Sequence, residues 1–427
     1  MGFAQGVSGL SASASNLDVI GNNIANSGTA GFKAGSAQFS EVYAGTTSLG
    51  TQVSAVVQNF AAGAVQSSTR PLDVAIVNGD GFFRLTSPSG EIAYSRNGQF
   101  NKDKDGFIVN SAGMQLTGYQ VDASGAISGG SPSALQLPTT AMVPRATQVI
   151  AAQFNVDSRS LPPTATPFNA NNSTTYNYAN ALTVFDSLGN PHELSTFFVK
   201  TGVDAWSVYA TADGYPLTAA GAMVAPPTAA GPPAIANSVA LSDGGVGFNG
   251  SGNLISGPPT TLVNGKMSLT GLDFANGANP MTLTIDVTGT TQFGNTNEVN
   301  KLTQDGYTSG QLTSYAIGQD GVLTGKYSNE QSKLLGQIVL SSFVNPNGLK
   351  PKGDNVWAET SASGQPLTGT PGTGAKAGAL TGSALEGSNV DLTSELVNLI
   401  IAQRTYQANA QTVKTQDQVT QTLINMR

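Results

Sequence analysis

Apolar positions at the two ends of the chain recur with a helical period, and those between them with a strand period. At the start, Phe3, Val7, Leu10, Ala14, Leu17, Gly21 and Ile24 are separated by alternating steps of four and three residues. That spacing is a heptad seam, a narrow stripe that one helix presents to another. The other faces carry Ser, Gln, Asn and Gly, and Asp18 is the only charge before Lys33. Each helical Gly costs about 1 kcal/mol against Ala. With Gly6, Gly9 and Gly21, the segment predicts a helix that does not stand alone in water.

The far end repeats the pattern. Leu392, Leu396, Leu399, Gln403, Tyr406, Ala410 and Val413 follow the same steps, and no Gly or Pro occurs from Ser388 to Arg427. Asp391 and Glu395 fall in the first turn and Arg427 at the end, a polarity that suits the helix dipole. At 1.5 Å per residue, 391–427 predicts a rod of roughly 55 Å. Such a stripe is ordinarily covered inside its own domain. Here the two stripes lie at opposite chain ends, each beyond turn-rich sequence. The economical solution packs the N- and C-terminal helices on each other.

From about 70 to 360 the apolar runs are short, rich in Val, Ile, Thr, Phe and Tyr, and broken by Gly, Asn and Asp. This reads as β throughout. Residues 72–85 predict strand, tight turn, strand; 182–199 a hairpin about Asp186–Pro191; 332–349 one long strand; and 281–289 a strictly alternating strand. Two stretches read as linkers or irregular loops, the Pro/Ala/Gly-rich 216–233 and the Ser/Thr/Gly/Pro-rich 361–383.

Composition narrows the chemistry. The 427 residues include no Cys and one His, which excludes disulfides, iron–sulfur clusters, thiolate zinc sites and His-based metal cages. Only 11% of residues are charged and the net charge is −7, with no basic cluster. Nucleic acid and anionic membranes are therefore not expected partners. No basic region followed by an apolar run opens the chain and no apolar stretch nears the ~20 residues of a membrane span. A soluble chain without a signal peptide is expected.

Three motifs resemble sites and are better read as turns. Gly245, Gly247 and Gly250 fit G-x-G-x-x-G, but no helix pattern follows them. Residues 101–106 fit the first half of a calcium loop, but the twelfth position is Ala112 rather than Glu. His192 lies near Asp186 and Glu193 without a nucleophile-elbow sequence, and is expected as a solvated loop residue. Carboxylates are too scattered to nominate a pair. No catalytic residue, cofactor or metal is expected.

Residues 16–33, NLDVIGNNIANSGTAGFK, and 382–427, from GSALEGSNVDL to the final Arg427, resemble the N- and C-terminal signatures of the bacterial flagellar rod and hook axial proteins. Residues 31–44 and 182–194 are more similar to the hook branch of that family than to the rod branch. The resemblance implies terminal helices forming an inner coiled coil around an export channel, with β-domains further out. It implies a structural, non-enzymatic subunit, exported unfolded by the flagellar type III apparatus without a cleaved signal. That subunit would polymerise with itself into a flexible curved tube that transmits torque. Its neighbours would be a distal rod protein at the base, a cap protein during growth and a junction protein at the tip.

The residues themselves agree with such a role. Seams that cannot be covered alone would stay disordered until assembly. Phe3, Val7, Leu10, Ala14, Leu17, Ile24, Leu392, Leu396, Leu399, Tyr406, Ala410 and Val413 are the expected assembly seam. Asn22, Asn23 and Asn26 can bond backbone groups where the first helix ends, Gly28 and Gly31 allow the exit turn, and Phe32 can anchor it.

The expected fold is mainly β and multi-domain, with nested barrel- or sandwich-like domains and paired terminal α-helices. The expected divisions are 1–30 with 385–427 (helical), 31–70 with 361–384 (connecting), 71–146 with 306–360 (middle β) and 147–305 (outer insertion). The rival readings are a distal rod protein and a secreted β-rich adhesin. An adhesin has no need of paired terminal heptads.

Overall fold

The structure, a computed structural model, describes residues 2–44, 47–217, 242–255, 264–372 and 377–426. From residue 218 onward the Pro/Ala/Gly-rich stretch lies outside the described residues, as does Arg427. The chain forms two compact units. One comprises Met1–Thr139, Leu312–Lys326 and Glu330–Arg427, the other Thr140–Gln311 with Tyr327–Asn329.

The first unit holds both helices, α1 (Gly2–Ala25) and α2 (Leu392–Asn425). Asp391 is the N-cap of α2 rather than part of its first turn, and its carboxylate accepts from the amides of Thr393 (2.9 Å) and Ser394 (3.3 Å). Those bonds satisfy orphan donors of the helix start and hold the Asp391 carboxyl below the usual range. The strands β1 (Gly35–Ala44) and β2 (Thr47–Gln58) form a long antiparallel hairpin beside α1.

A large sheet of the same unit interleaves strands from both sides of the insertion. Its order is Leu312–Ile317, Val322–Tyr327, Ser332–Ile338, Gln115–Tyr119, Phe82–Thr86, Ile92–Ser95, Val356–Ala358 and Lys350–Gly353. Phe83 and Phe100, both fully buried, meet edge-to-face at 5.3 Å in its main core. A second cluster gathers Phe60, Phe82, Tyr94, Phe343 and Trp357.

Three expectations change here. Val74–Val77 and Phe82–Thr86 do not form a hairpin: the first pairs with Ala379–Gly382 and the second with Ile92–Ser95. The long strand at 332–349 is two, Ser332–Ile338 and Leu340–Ser342, bonded to different partners. The 361–383 stretch is not a free linker, since Leu367–Gly369 and Ala379–Gly382 are strands. Each short run carries too few side chains to advertise which distant edge it joins.

The second unit is built from two sheets. One orders Lys266–Leu272, Met281–Asp286, Val149–Asp157 and Thr291–Phe293, with Glu298–Gln304 on Val149–Asp157. The other orders Tyr178–Phe185, Pro191–Gly202, Ala205–Ala212, Ser242–Phe248 and Leu254–Ile255. Their apolar faces share one core, in the manner of a sandwich. Met281, Leu283 and Ile285 point inward by strict alternation. Trp206, fully buried, donates from Nε1 to Gln292 Oε1 at 2.6 Å and so ties the two sheets together.

The three site-like motifs resolve into β structure. Gly245–Gly250 runs from the end of strand Ser242–Phe248 into a turn held by the Asn249 side chain, which accepts from the amides of Ser251 and Asn253. Asp103 caps the turn between Asn101–Lys102 and Ile108–Val109. His192 is not a solvated loop residue: it opens a strand and is 9% exposed. Its ring stacks on Phe274 at 3.5 Å, with Nδ1 2.6 Å from Asp213 Oδ2 and Nε2 3.2 Å from Asp186 Oδ2. Asp186 also accepts from Asn190 (2.9 Å) and Asn276 (2.7 Å). The imidazole thus clamps turns that lie far apart in sequence, a role that neighbouring residues alone do not signal.

A candidate assembly surface on the terminal helices

The two helices cross antiparallel on small side chains. A Cβ on Gly6 would lie 2.8 Å from Val413 Cγ2, and one on Gly9 2.9 Å from Asn409 Nδ2. Asn409 donates to Ser13 Oγ at 3.3 Å. Higher numbers on α1 therefore meet lower numbers on α2. The buried stripe of α1 runs through Gly6, Gly9, Ser13, Ile20 and Asn23, and that of α2 through Ala402. Backbones can approach this closely only where side chains are small.

The expected apolar seam is thus displaced from the helix pair. The buried stripe sits one position before it, about 100° around the helix. Phe3, Val7, Leu392, Leu396 and Tyr406 are exposed. Leu10, Ala14, Leu17, Ile24, Leu399, Ala410 and Val413 are half-buried. Of these, Val413 is brought against α1, at Gly6. Heptad spacing located the helices correctly, but the smallest residues, rather than the largest, take the closest contact.

The surface left uncovered includes residues outside the expected seam. Val397, Ile400 and Ile401 are 52%, 52% and 58% exposed on α2. Their i, i+3, i+4 spacing is a readable signal of one face. A Val, Leu or Ile side chain gains about 1.5–3 kcal/mol on full burial, so contiguous exposure of this kind marks an interaction surface. An open groove of about 810 Å³ runs between α1, the β1–β2 hairpin and α2, lined by Ser13, Asn16, Glu41, Glu395, Asn398 and Thr405 among others.

The exit from α1 is fixed by side-chain bonds. Asn26 donates to the Asn22 carbonyl (3.0 Å) and side chain (2.9 Å). Asn23, buried, exchanges bonds of 2.8 and 2.9 Å with the backbone of Gly35. Gly31 has φ +69°, and a Cβ there would strike Asn97 N at 2.6 Å, so only Gly fits. Gly28 has no neighbour within 4 Å and no left-handed backbone, so its freedom is not used. Phe32 is half-buried and lines a groove with Asn22 and Trp357.

Beneath this exit lies a charge cluster that sequence reading missed. Glu386 meets Lys33 Nζ at 2.6 Å and Arg96 at 3.3 Å, with all three side chains at most 1% exposed. Lys33 also donates to the Ala61 carbonyl at 2.7 Å, and Glu386 accepts from the Gly63 amide at 2.9 Å. Burial lowers the Lys33 pKa, and the bond and charge of Glu386 only partly offset it. The cluster staples the end of α1 to the strand that precedes α2. Among the described residues no group of three or more His, Cys, Asp or Glu is placed to hold a metal. Among the same residues no helix is long and apolar enough to cross a membrane.

Family models match along the chain in order. Residues 5–33 match the flagella basal body rod protein model and 76–157 the flagellar hook protein FlgE/F/G D1 domain. Residues 155–307 match the flagellar basal body protein FlaE D2 domain and 381–426 the flagellar basal body rod FlgEFG protein C-terminal model. Paired terminal helices on a β-rich body, with these matches, define the class as the axial proteins of the flagellar rod and hook. The flagellar hook protein FlgE of Escherichia coli (strain K12) is 45% identical over 432 residues, covering all of both chains. That of Salmonella typhimurium is 44% identical over 431 residues, again covering all of both. That of Rhizobium meliloti is 30% identical over 434 residues, covering 99% of this chain and 98% of its own. The chain belongs to the flagellar hook protein FlgE family and is a structural subunit of the hook. The crystal structure of Helicobacter pylori flagellar hook protein FlgE2 shares the fold, with a TM-score of 0.50 at 14% identity over 75% of this chain and 100% of that one.

Proposed function

We propose that this hook subunit has no catalytic activity and polymerises through its terminal helices, the uncovered seam of one copy being covered by others. The observation that carries this reading is the apolar surface of α2, where Leu392, Leu396, Val397, Ile400 and Ile401 are all exposed. In this reading the helices form the inner layer of a tube and the insertion at 147–305 its outer surface. The subunit passes unfolded through the flagellar type III export apparatus. It adds beneath a cap protein, joins the distal rod protein at the base and meets a junction protein at the tip. A chain without Cys suits that route, because no wrong disulfide can form on the way.

Leu396→Asp tests the reading. Placing a carboxylate on the apolar strip is expected to abolish hooks in electron micrographs of cells expressing the variant, while the β units of the purified chain melt normally. Hooks of normal number and length from that variant would refute it.

A further inference from the structure

The helical layer carries few charges, and their placement points to a specific contact between copies. Asp18 is the only charged residue of α1, while α2 carries Glu395, Arg404, Lys414 and Asp417. Arg404 continues the face formed by Val397, Ile400 and Ile401, at i, i+3, i+4 and i+7. It is exposed, and among the described residues it joins no ion pair. A surface that covers this apolar strip also reaches the neighbouring guanidinium. An acid on that surface would answer a charge that is costly to leave unpaired on partial burial.

The helical layer offers three. Glu395 is half-buried and lines the groove that faces its own α1. Asp417 accepts from Gln421 Nε2 at 2.9 Å within α2. Asp18 alone is exposed and without a polar partner among the described residues. We infer that a second copy of the chain covers the Val397–Ile401 strip with its α1, and that Asp18 of that copy pairs with Arg404. The occupant is chosen by charge complementarity, and the inference rests on the reading that the helices are the assembly surface. A homopolymer repeats the pair at every such contact, so a modest interaction would set register along the whole tube.

Charge exchange tests this with the purified full-length chain, read as the critical concentration for tube formation by light scattering and electron microscopy. Asp18→Arg and Arg404→Asp are each expected to raise that concentration at least about tenfold, because like charges then face each other. The double variant restores the pair at every contact and is expected to assemble within about threefold of the unmodified chain, while an equimolar mixture restores it wherever the two variants alternate and is expected to assemble at a clearly lower concentration than either variant alone. Single variants that assemble normally would overturn the pairing. So would a double variant that assembles while the mixture does not, since the pair would then lie within one copy. Leu396→Asp, run in parallel, separates the two levels. If it is blocked while the charge variants are silent, only the pairing fails; if it assembles normally, the helical-layer reading itself fails.

Discussion

Gly9 of α1 faces Asn409 of α2 so closely that a methyl group on Gly9 would sit 2.9 Å from the Asn409 Nδ2. Gly21, on the same helix, has no neighbour within 4 Å. Helix propensity alone favours Ala over Gly by about 1 kcal/mol at either position. A methyl group at Gly9 requires the Asn409 amide, bonded to Ser13, to move, whereas one at Gly21 meets nothing. Gly21→Ala is therefore expected to raise the helical circular dichroism of the purified chain in dilute solution. Gly9→Leu is expected to lower it or prevent assembly.

Glu386 balances two buried cations, Lys33 and Arg96. Glu386→Gln leaves both without a counter-charge and is expected to cost about 3–5 kcal/mol in denaturant unfolding of the first unit. Lys33→Met should cost much less, because Arg96 still answers Glu386. Burial lowers the Lys33 pKa, so the protonated amine weighs against folding at neutral pH. That weight lifts as pH rises through the folded value, an alkaline gain that Lys33→Met should erase.

Asp186 contributes to the acid response of the second unit. Burial alone pushes its carboxyl up, but bonds from Asn190, Asn276 and His192 outweigh burial and hold it well below the usual range. A depressed folded pKa stabilises above the unfolded value near 3.9 and is lost as pH falls through the folded one. The stability of this unit against unfolding should fall below about pH 4 by up to roughly 1.4 kcal/mol per pH unit from this group. Asp186→Asn should flatten that limb in urea titrations followed by Trp206 fluorescence, at lower stability near neutrality.

The sequence carried the helices and many of the strands because their periods differ. Met281, Leu283 and Ile285 alternate where a sheet has one dry face, and the terminal heptads run at helical spacing. What it did not carry depends on partners far along the chain. Lys33 and Glu386 are 353 residues apart, and nothing near either marks the pair. The intra-chain helix crossing is not legible in the apolar heptads, because closest approach selects Gly6, Gly9 and Ser13, which a search for bulky apolar residues passes over. The sequence around His192 reads as a loop because Asp213 and Asn276, which flank its ring, come from other turns.

The strand partners also decide where the β body can be cut. Val74, Ala75 and Ile76 are at most 1% exposed, and their strand pairs with Ala379–Gly382. A fragment spanning 71–360 loses that partner and is expected to aggregate. A fragment spanning 59–389 keeps it, together with Glu386, Gly63 and Arg96. It should sediment as a β-rich monomer. A soluble, cooperatively melting 71–360 fragment would show that the Ala379–Gly382 strand is dispensable.

Amide hydrogen exchange of the helices, measured before and after tube formation, tests the proposed assembly surface most directly. If the faces of residues 2–25 and 392–425 that the intra-chain crossing leaves open find cover only against sister copies, the helices should be held weakly by that crossing alone, their amides exchanging rapidly in dilute monomer and slowing by more than about a hundredfold in tubes. Equal protection of those amides in monomer and tube would contradict it.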